Sequence, residues 1–366
     1  MNTASYIALA LAAVTASSMA GQEASSGFSM PVTLSGQLLQ SPRGTAPGLG
    51  ESTLSPGFRA VFYPAFKLGP NWFAFGAVQT YNAPYFYEQL DPGERQERQI
   101  RFNVLQAYIG YSRVGNRKGI VVKAGQLTPA FGSFALSYDD ARNWLIDLPI
   151  NYGYYYKPVG VTGQPGAEVD INFRKVDARF QLSNSSPTNP RKLWDSDQYL
   201  NWTAGAGYAF RQEFRVGVSA YRGPYLHRGY AFYFPGEAPP RSLPASGFGV
   251  DAQFARGRWK FNGELQRFQF PYRAIPYFFN TSGYVEAKLR LGPRWYVAGR
   301  AGRRSRTASL GVDDSYEAVA GLTVAPRQQL KFGWQTQRGA YTRGVRDRVI
   351  AVQYVITFDA LQAVFR

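Results

Sequence analysis

His227 is the only histidine in the chain, and a Ser–His or Asp–His mechanism would have to use it as its general base. It lies in YLHRGY, within a long connection over 224–245, with no acid–serine arrangement beside it. A surface-loop residue is the expected outcome. The absence of cysteine removes thiolate nucleophiles and thiolate-bound zinc or iron–sulfur centres, and a single histidine is too few for a transition-metal site. Asp139 and Asp140 are adjacent carboxylates, but the spaced oxygen ligands and central glycine of a calcium loop are missing around them. Two glycine-rich stretches look superficially like phosphate cradles. GQPGAEV at 163–169 lacks a strand–helix context and GRAGRRS at 299–305 lacks the lysine of a phosphate loop, so both are assigned to turns or crowded strand positions. The sequons at Asn184, Asn201 and Asn280 are taken as chance matches. No cofactor, no metal and no catalytic step are expected. What remains is charge: 41 Lys and Arg against 24 Asp and Glu, a net +17. Those basic residues are spread through the whole chain rather than gathered in one patch, which argues against nucleic acid as the partner.

The elements that must position this charge alternate with period two. In 175–184, KVDARFQLSN, Val176, Ala178, Phe180 and Leu182 share one face and Asp177, Arg179, Gln181 and Ser183 the other. Sixteen such segments are expected, near 31–40, 57–66, 71–81, 99–112, 119–128, 166–174, 175–184, 199–210, 213–223, 247–256, 258–270, 282–291, 294–304, 314–325, 328–338 and 346–358. Short turns and long connections alternate between them. An even number of strands, short turns on one rim and long loops on the other is what a barrel spanning a bacterial outer membrane requires. The expected fold is all-β, a transmembrane antiparallel up-and-down barrel of about 16 strands. Lipid offers the backbone no hydrogen bonds, so such a sheet must close on itself.

Tyr63, Phe66, Trp72, Phe73, Tyr208, Phe210, Trp259, Trp295 and Tyr296 lie close to short turns and are assigned to an interfacial girdle. Residues 1–20 carry no charged side chain and have an apolar core followed by Ser18 and Ala20. They are expected to be a secretory signal peptide, leaving 21–366 as one barrel domain with the full +17. The last segment ends at Phe358 or is displaced toward Phe365, and both ends of the barrel lie on the periplasmic side.

One stretch, 125–156, breaks the alternation. KAGQLTPAFGSF at 123–134 and LIDLPINYGYYY at 145–156 resemble the region of phosphate-selective-porin-like outer-membrane proteins where a strand ending in Gly-Gln enters a Pro-x-Phe-Gly turn. GQPGAEVDINFRKVDARFQLSNSSP at 163–187 is similar to the hairpin that follows in such proteins. The last segment also looks like the C-terminal strand that the outer-membrane assembly machinery recognises. The resemblance implies a homotrimer of sixteen-stranded barrels, each with a long loop after the fifth strand folded into its lumen.

Parity places Arg59, Lys123, Arg179, Arg215, Lys260, Lys288, Arg290, Arg300 and Lys331 on the lumen, together with Glu168, Asp170, Asp177, Asp251, Glu264, Glu286 and Glu317. A constriction is expected where Asp139, Asp140 and Arg142 on the loop face a basic wall including Arg59, Lys123 and Arg300. Rings of charge select ions through their local field, so the positive excess predicts a mild preference for anions among small hydrophilic solutes. Two other readings stay open at this level: a non-transporting barrel in outer-membrane lipid that acts as an adhesin, and a secreted carbohydrate-binding β-sandwich.

Overall fold

In the computed structural model, residues 27–40, 54–82, 85–87, 100–152, 159–188, 199–226, 239–271, 278–307, 311–339 and 347–361 are described. His227, the 1–20 segment and Phe365 lie outside them. Sixteen strands close into one antiparallel barrel. Two of them are interrupted for one or two residues: β1 (Gly27–Ser29 and Pro31–Gln40) at Met30, and β2 (Leu54–Phe62 and Ala65–Lys67) at Tyr63 and Pro64. A proline lacks the N–H that a ladder needs, which accounts for the break at Pro64. The others are β3 (Trp72–Asn82), β4 (Ile100–Val114), β5 (Lys118–Leu127), β6 (Gln164–Phe173), β7 (Val176–Ser183), β8 (Asn201–Arg211) and β9 (Phe214–Pro224). Then follow β10 (Pro244–Arg256), β11 (Trp259–Phe270), β12 (Phe278–Arg290), β13 (Trp295–Arg306), β14 (Val312–Ala325), β15 (Gln328–Arg338) and β16 (Asp347–Asp359). Each strand pairs with its sequence neighbours, and β16 closes on β1 with Ile350 opposite Gln40 and Phe358 opposite Val32. The last strand ends at Asp359, next to the nearer of the two expected ends.

Alternation along each strand separates the two environments. On β16, Ile350 is 55 % exposed on the outside while Gln353 is fully buried in the lumen. Short turns are tight enough to need left-handed backbone: Gly257 takes it at φ 60°, but Arg174 and Arg327 adopt it with side chains, at 55° and 64°. Positive φ at such turns matches the twist of the flanking strands.

The girdle is smaller than expected. Phe66, Trp72, Tyr208, Phe210, Trp259 and Trp295 are exposed beside the short turns, and Trp72 meets Tyr111 edge-on at 5.3 Å between ring centroids. Tyr63, Phe73 and Tyr296 instead turn inward, Tyr63 and Phe73 against the lumen cluster and Tyr296 to 5 % exposure. The cause is parity, since Phe73 follows Trp72 and Tyr296 follows Trp295, and neighbours on a strand cannot share a face.

Val285, in the middle of β12, is 66 % exposed on the outer face. Val285→Arg is therefore expected to cost about 2–4 kcal/mol, the range for a cation at the midplane of a bilayer. Urea unfolding from lipid vesicles measures this, and unchanged stability would contradict a lipid-facing outer surface.

Candidate pore constriction

The connection between β5 and β6 runs over 128–163, and its described residues, 128–152 and 159–163, fold into the lumen and are pinned at two places. The first pin is the Pro-Ala-Phe-Gly turn. Gly132 takes φ +71° there, and a Cβ would collide with the Tyr152 hydroxyl and approach Glu264 Oε2 at 2.8 Å. The left-handed glycine turns consecutive N–H groups toward the wall. Glu264 of β11, 4 % exposed, accepts through Oε1 from the Ser133 and Phe134 amides at 2.7 Å each and from Ser133 Oγ at 2.6 Å. Its other oxygen accepts from Tyr152 and from Gln266 Nε2. Burial, followed by the Glu264 charge, raises the Tyr152 phenol well above its ordinary pKa, so it stays a donor. Ser219 Oγ accepts from the Gly132 amide at 3.0 Å, and Arg179 donates to the Gly132 carbonyl at 3.1 Å. A one-turn 3₁₀ helix, Phe134–Ser137, leads away from this pin.

The second pin covers 138–147. Arg59 of β2, 1 % exposed, pairs with Asp140 at 2.8 Å and donates to the Tyr138 carbonyl and to Gln79. Its guanidinium carbon lies 4.3 Å from the Tyr138 ring centroid and 5.5 Å from that of Phe86, so the charge is both paired and stacked. Asp140 also accepts from Ser35 and from Tyr85. Burial first, then the Asp140 charge, raises the Tyr85 phenol well above its usual value. Asp139 accepts from Tyr63 and caps its own turn through the Ala141 amide at 2.8 Å. Lys331 of β15 donates from one fully buried ammonium to the carbonyls of Asp140, Asn143 and Leu145. Glu317 of β14 accepts from the Ile146 and Asp147 amides, while Arg300 of β13 donates to the Asp147 carbonyl at 2.9 Å. Between the pins lies an aromatic cluster in which Phe131, Phe134, Tyr138 and Tyr152 of the loop meet Tyr221, Phe268 and Tyr284 of the wall.

Of the residues expected at the constriction, the structure brings Arg59 and Asp140 into direct contact and sets Asp139 against Tyr63. Arg300 touches the loop backbone, yet its charge is shared by Glu286 at 2.8 Å and Glu317 at 3.3 Å. Lys123 stands apart from the loop carboxylates and pairs with Glu168 and Asp170 of β6. Arg142 is exposed. The parts not foreseen are the anchoring roles of Glu264, Glu317 and Lys331, and a pair of lysines. Lys260 and Lys288 oppose each other across β11 and β12, and neither has an ion-pair partner among the described residues. Like charges placed opposite repel. Both ammonium groups lie near the Trp144 ring of the loop, at 5.9 and 5.7 Å, and Lys288 is 4.0 Å from the Tyr296 ring, contacts that offset part of the repulsion.

On the short-turn side the loop forms the end of a cavity of about 1150 Å³, lined by Thr128, Ser133 and Trp144 of the loop and by wall residues reaching down to the turns at Asn71, Asn116 and Lys175. Its lining carries ten Lys and Arg residues and four Asp and Glu.

Glu264→Ala removes the acceptor of three loop donors at Oε1, at a cost of about 1–3 kcal/mol per orphaned group. The barrel is expected to keep its resistance to detergent at room temperature while the Ser133 and Phe134 amides exchange their hydrogens faster. Equal amide exchange there in wild type and variant would show that Glu264 is not an anchor.

No protein-family model and no curated protein sequence matches the chain. Solved structures do. OprB of Pseudomonas putida superposes with a TM-score of 0.62 at 11 % identity, over 91 % of this chain and 94 % of that one. OmpF of Salmonella typhi, solved in complex with daunomycin, gives 0.60 at 12 %, over 90 % and 97 %. An anion-selective porin from Comamonas acidovorans gives 0.58 at 12 %, over 92 % and 100 %. At these identities the likeness concerns the fold, and the fold of this chain is that of the outer-membrane porins.

Proposed function

We propose that the chain is a passive diffusion porin of a bacterial outer membrane, a channel without catalytic activity that admits small hydrophilic solutes and ions with a mild preference for anions. The observation that carries the preference is the lysine pair. Lys123 and Arg300 each face two carboxylates, whereas Lys260 and Lys288 face each other and no acid among the described residues. Lys260 and Trp144 line the cavity, whose lining has an excess of positive charge, and low-dielectric walls focus such a field on a passing ion.

In this reading Asp139, Asp140, Arg142, Arg59, Lys123 and Arg300 border the narrow passage with different tasks. Arg59 and Asp140 fix where the loop stands, Arg300 holds its backbone, Arg142 presents charge to the solution, and Lys123 is held by Glu168 and Asp170 on the wall. The 1–20 segment would direct export, the assembly machinery would insert the barrel into outer-membrane lipid, and three copies would associate through their apolar outer faces.

Conductance of the folded protein in a planar bilayer tests the channel, and reversal potentials across a salt gradient test its sign. Single-channel steps with anions favoured are expected, and Lys260→Glu with Lys288→Glu should move the reversal potential toward cations. Absence of steps from folded protein would replace the channel with a barrel that binds partners through its loops. Cation preference in the wild type would overturn the assignment of sign.

A further inference from the structure

We infer that an arc of five outward-facing arginines, Arg222, Arg267, Arg303, Arg338 and Arg348, binds the phosphate groups of anionic lipid headgroups in the leaflet at the long-loop rim. The orientation follows from parity and burial. Arg267 stands between Gln266 and Phe268, which are 1 % and 0 % exposed in the lumen, and Arg222 follows Tyr221, also 1 % exposed there. Arg303 precedes the lumen residue Arg304, and its own side chain is 71 % exposed. Arg338 shares the outer face of β15 with Trp334, and Arg348 that of β16 with Ile350.

Their level is common as well. Each arginine lies within three residues of the strand end on the long-loop side, so none is more than about 10 Å below the rim at the rise of a strand. Register places Arg303 opposite Asp314 and Asp314 opposite Arg338, which sets the two arginines two strands apart, about 10 Å, on one row. Asp314 is the sole acidic residue facing outward along this arc among the described residues, and it approaches Arg303 at 3.8 Å. Arg267 rests on the outward ring of Phe279 at 4.8 Å, which holds its guanidinium against the wall.

The opposite arc of the same rim is apolar, with Leu38, Leu54, Ile100, Phe102 and Trp202 exposed and no outward Lys or Arg among the described residues of β1 to β8 there. A cation on the flank of a membrane barrel is tolerated only near the interface. A planar guanidinium at that depth meets headgroup phosphates, to which it can donate two parallel hydrogen bonds. The inference needs only that the barrel spans a bilayer, and it stands or falls independently of conduction.

The test measures competition between brominated phosphatidylglycerol and brominated phosphatidylcholine for the barrel surface, read by quenching of tryptophan fluorescence in mixed vesicles. The wild type should prefer the anionic lipid by about fivefold or more, and Arg267→Gln combined with Arg338→Gln and Arg348→Gln should bring the ratio near one. The single variants Arg338→Gln and Arg348→Gln, at strand ends, should each give an intermediate ratio and guard against a folding defect in the triple variant. Equal preference in wild type and variants would overturn the inference. So would inorganic phosphate abolishing the preference while equal ionic strength of chloride does not, because the ligand would then be free phosphate rather than lipid.

Discussion

A bilayer supplies no hydrogen bonds to a peptide group, and every other feature of this molecule follows from meeting that condition. The ladder runs without an edge from β1 through β16 and back. Once closed, the sheet has only an inside and an outside, and the strict period of two sends neighbours to opposite sides. Val285 faces lipid while Glu286, its neighbour, is 6 % exposed beside Arg300. Charge that could not be tolerated outside is thereby collected in a narrow space, where each group needs a partner.

The infolded loop answers part of that need. Glu264 and Glu317 accept from backbone amides of the loop, and Lys331 donates to three of its carbonyls. A buried charge with several hydrogen bonds is far less costly than one left alone. Wall and loop therefore stabilise one another: the loop caps charges that the barrel buries, and those charges hold a long segment that has no ladder of its own. Lys260 and Lys288 are left without such a partner among the described residues.

Much of the architecture was legible in the sequence because its causes are local. Alternation such as KVDARFQLSN marks strands directly, and the interruption over 125–156 marks the loop after the fifth strand. Proximity to a short turn does not by itself make a girdle residue: Tyr63, Phe73 and Tyr296 lie beside turns, yet parity sends them inward. Partners were harder. That Lys123 meets Glu168 and Asp170, and that Lys260 meets Lys288, depends on register between strands, and register leaves no mark in a single strand. The three carbonyls beneath Lys331 belong to a loop nearly two hundred residues earlier, beyond any periodic signal.

That separation bears on how the molecule is made. The loop is synthesised in the first half of the chain, yet its anchors arrive late: Glu264 is 131 residues beyond Ser133, Glu317 is 171 beyond Ile146, and Lys331 is 191 beyond Asp140. Contacts of such span form only after their loop-closure entropy has been met. The narrow passage is thus completed only with closure, and a chain halted before β15 would lack the ammonium that gathers the carbonyls of Asp140, Asn143 and Leu145.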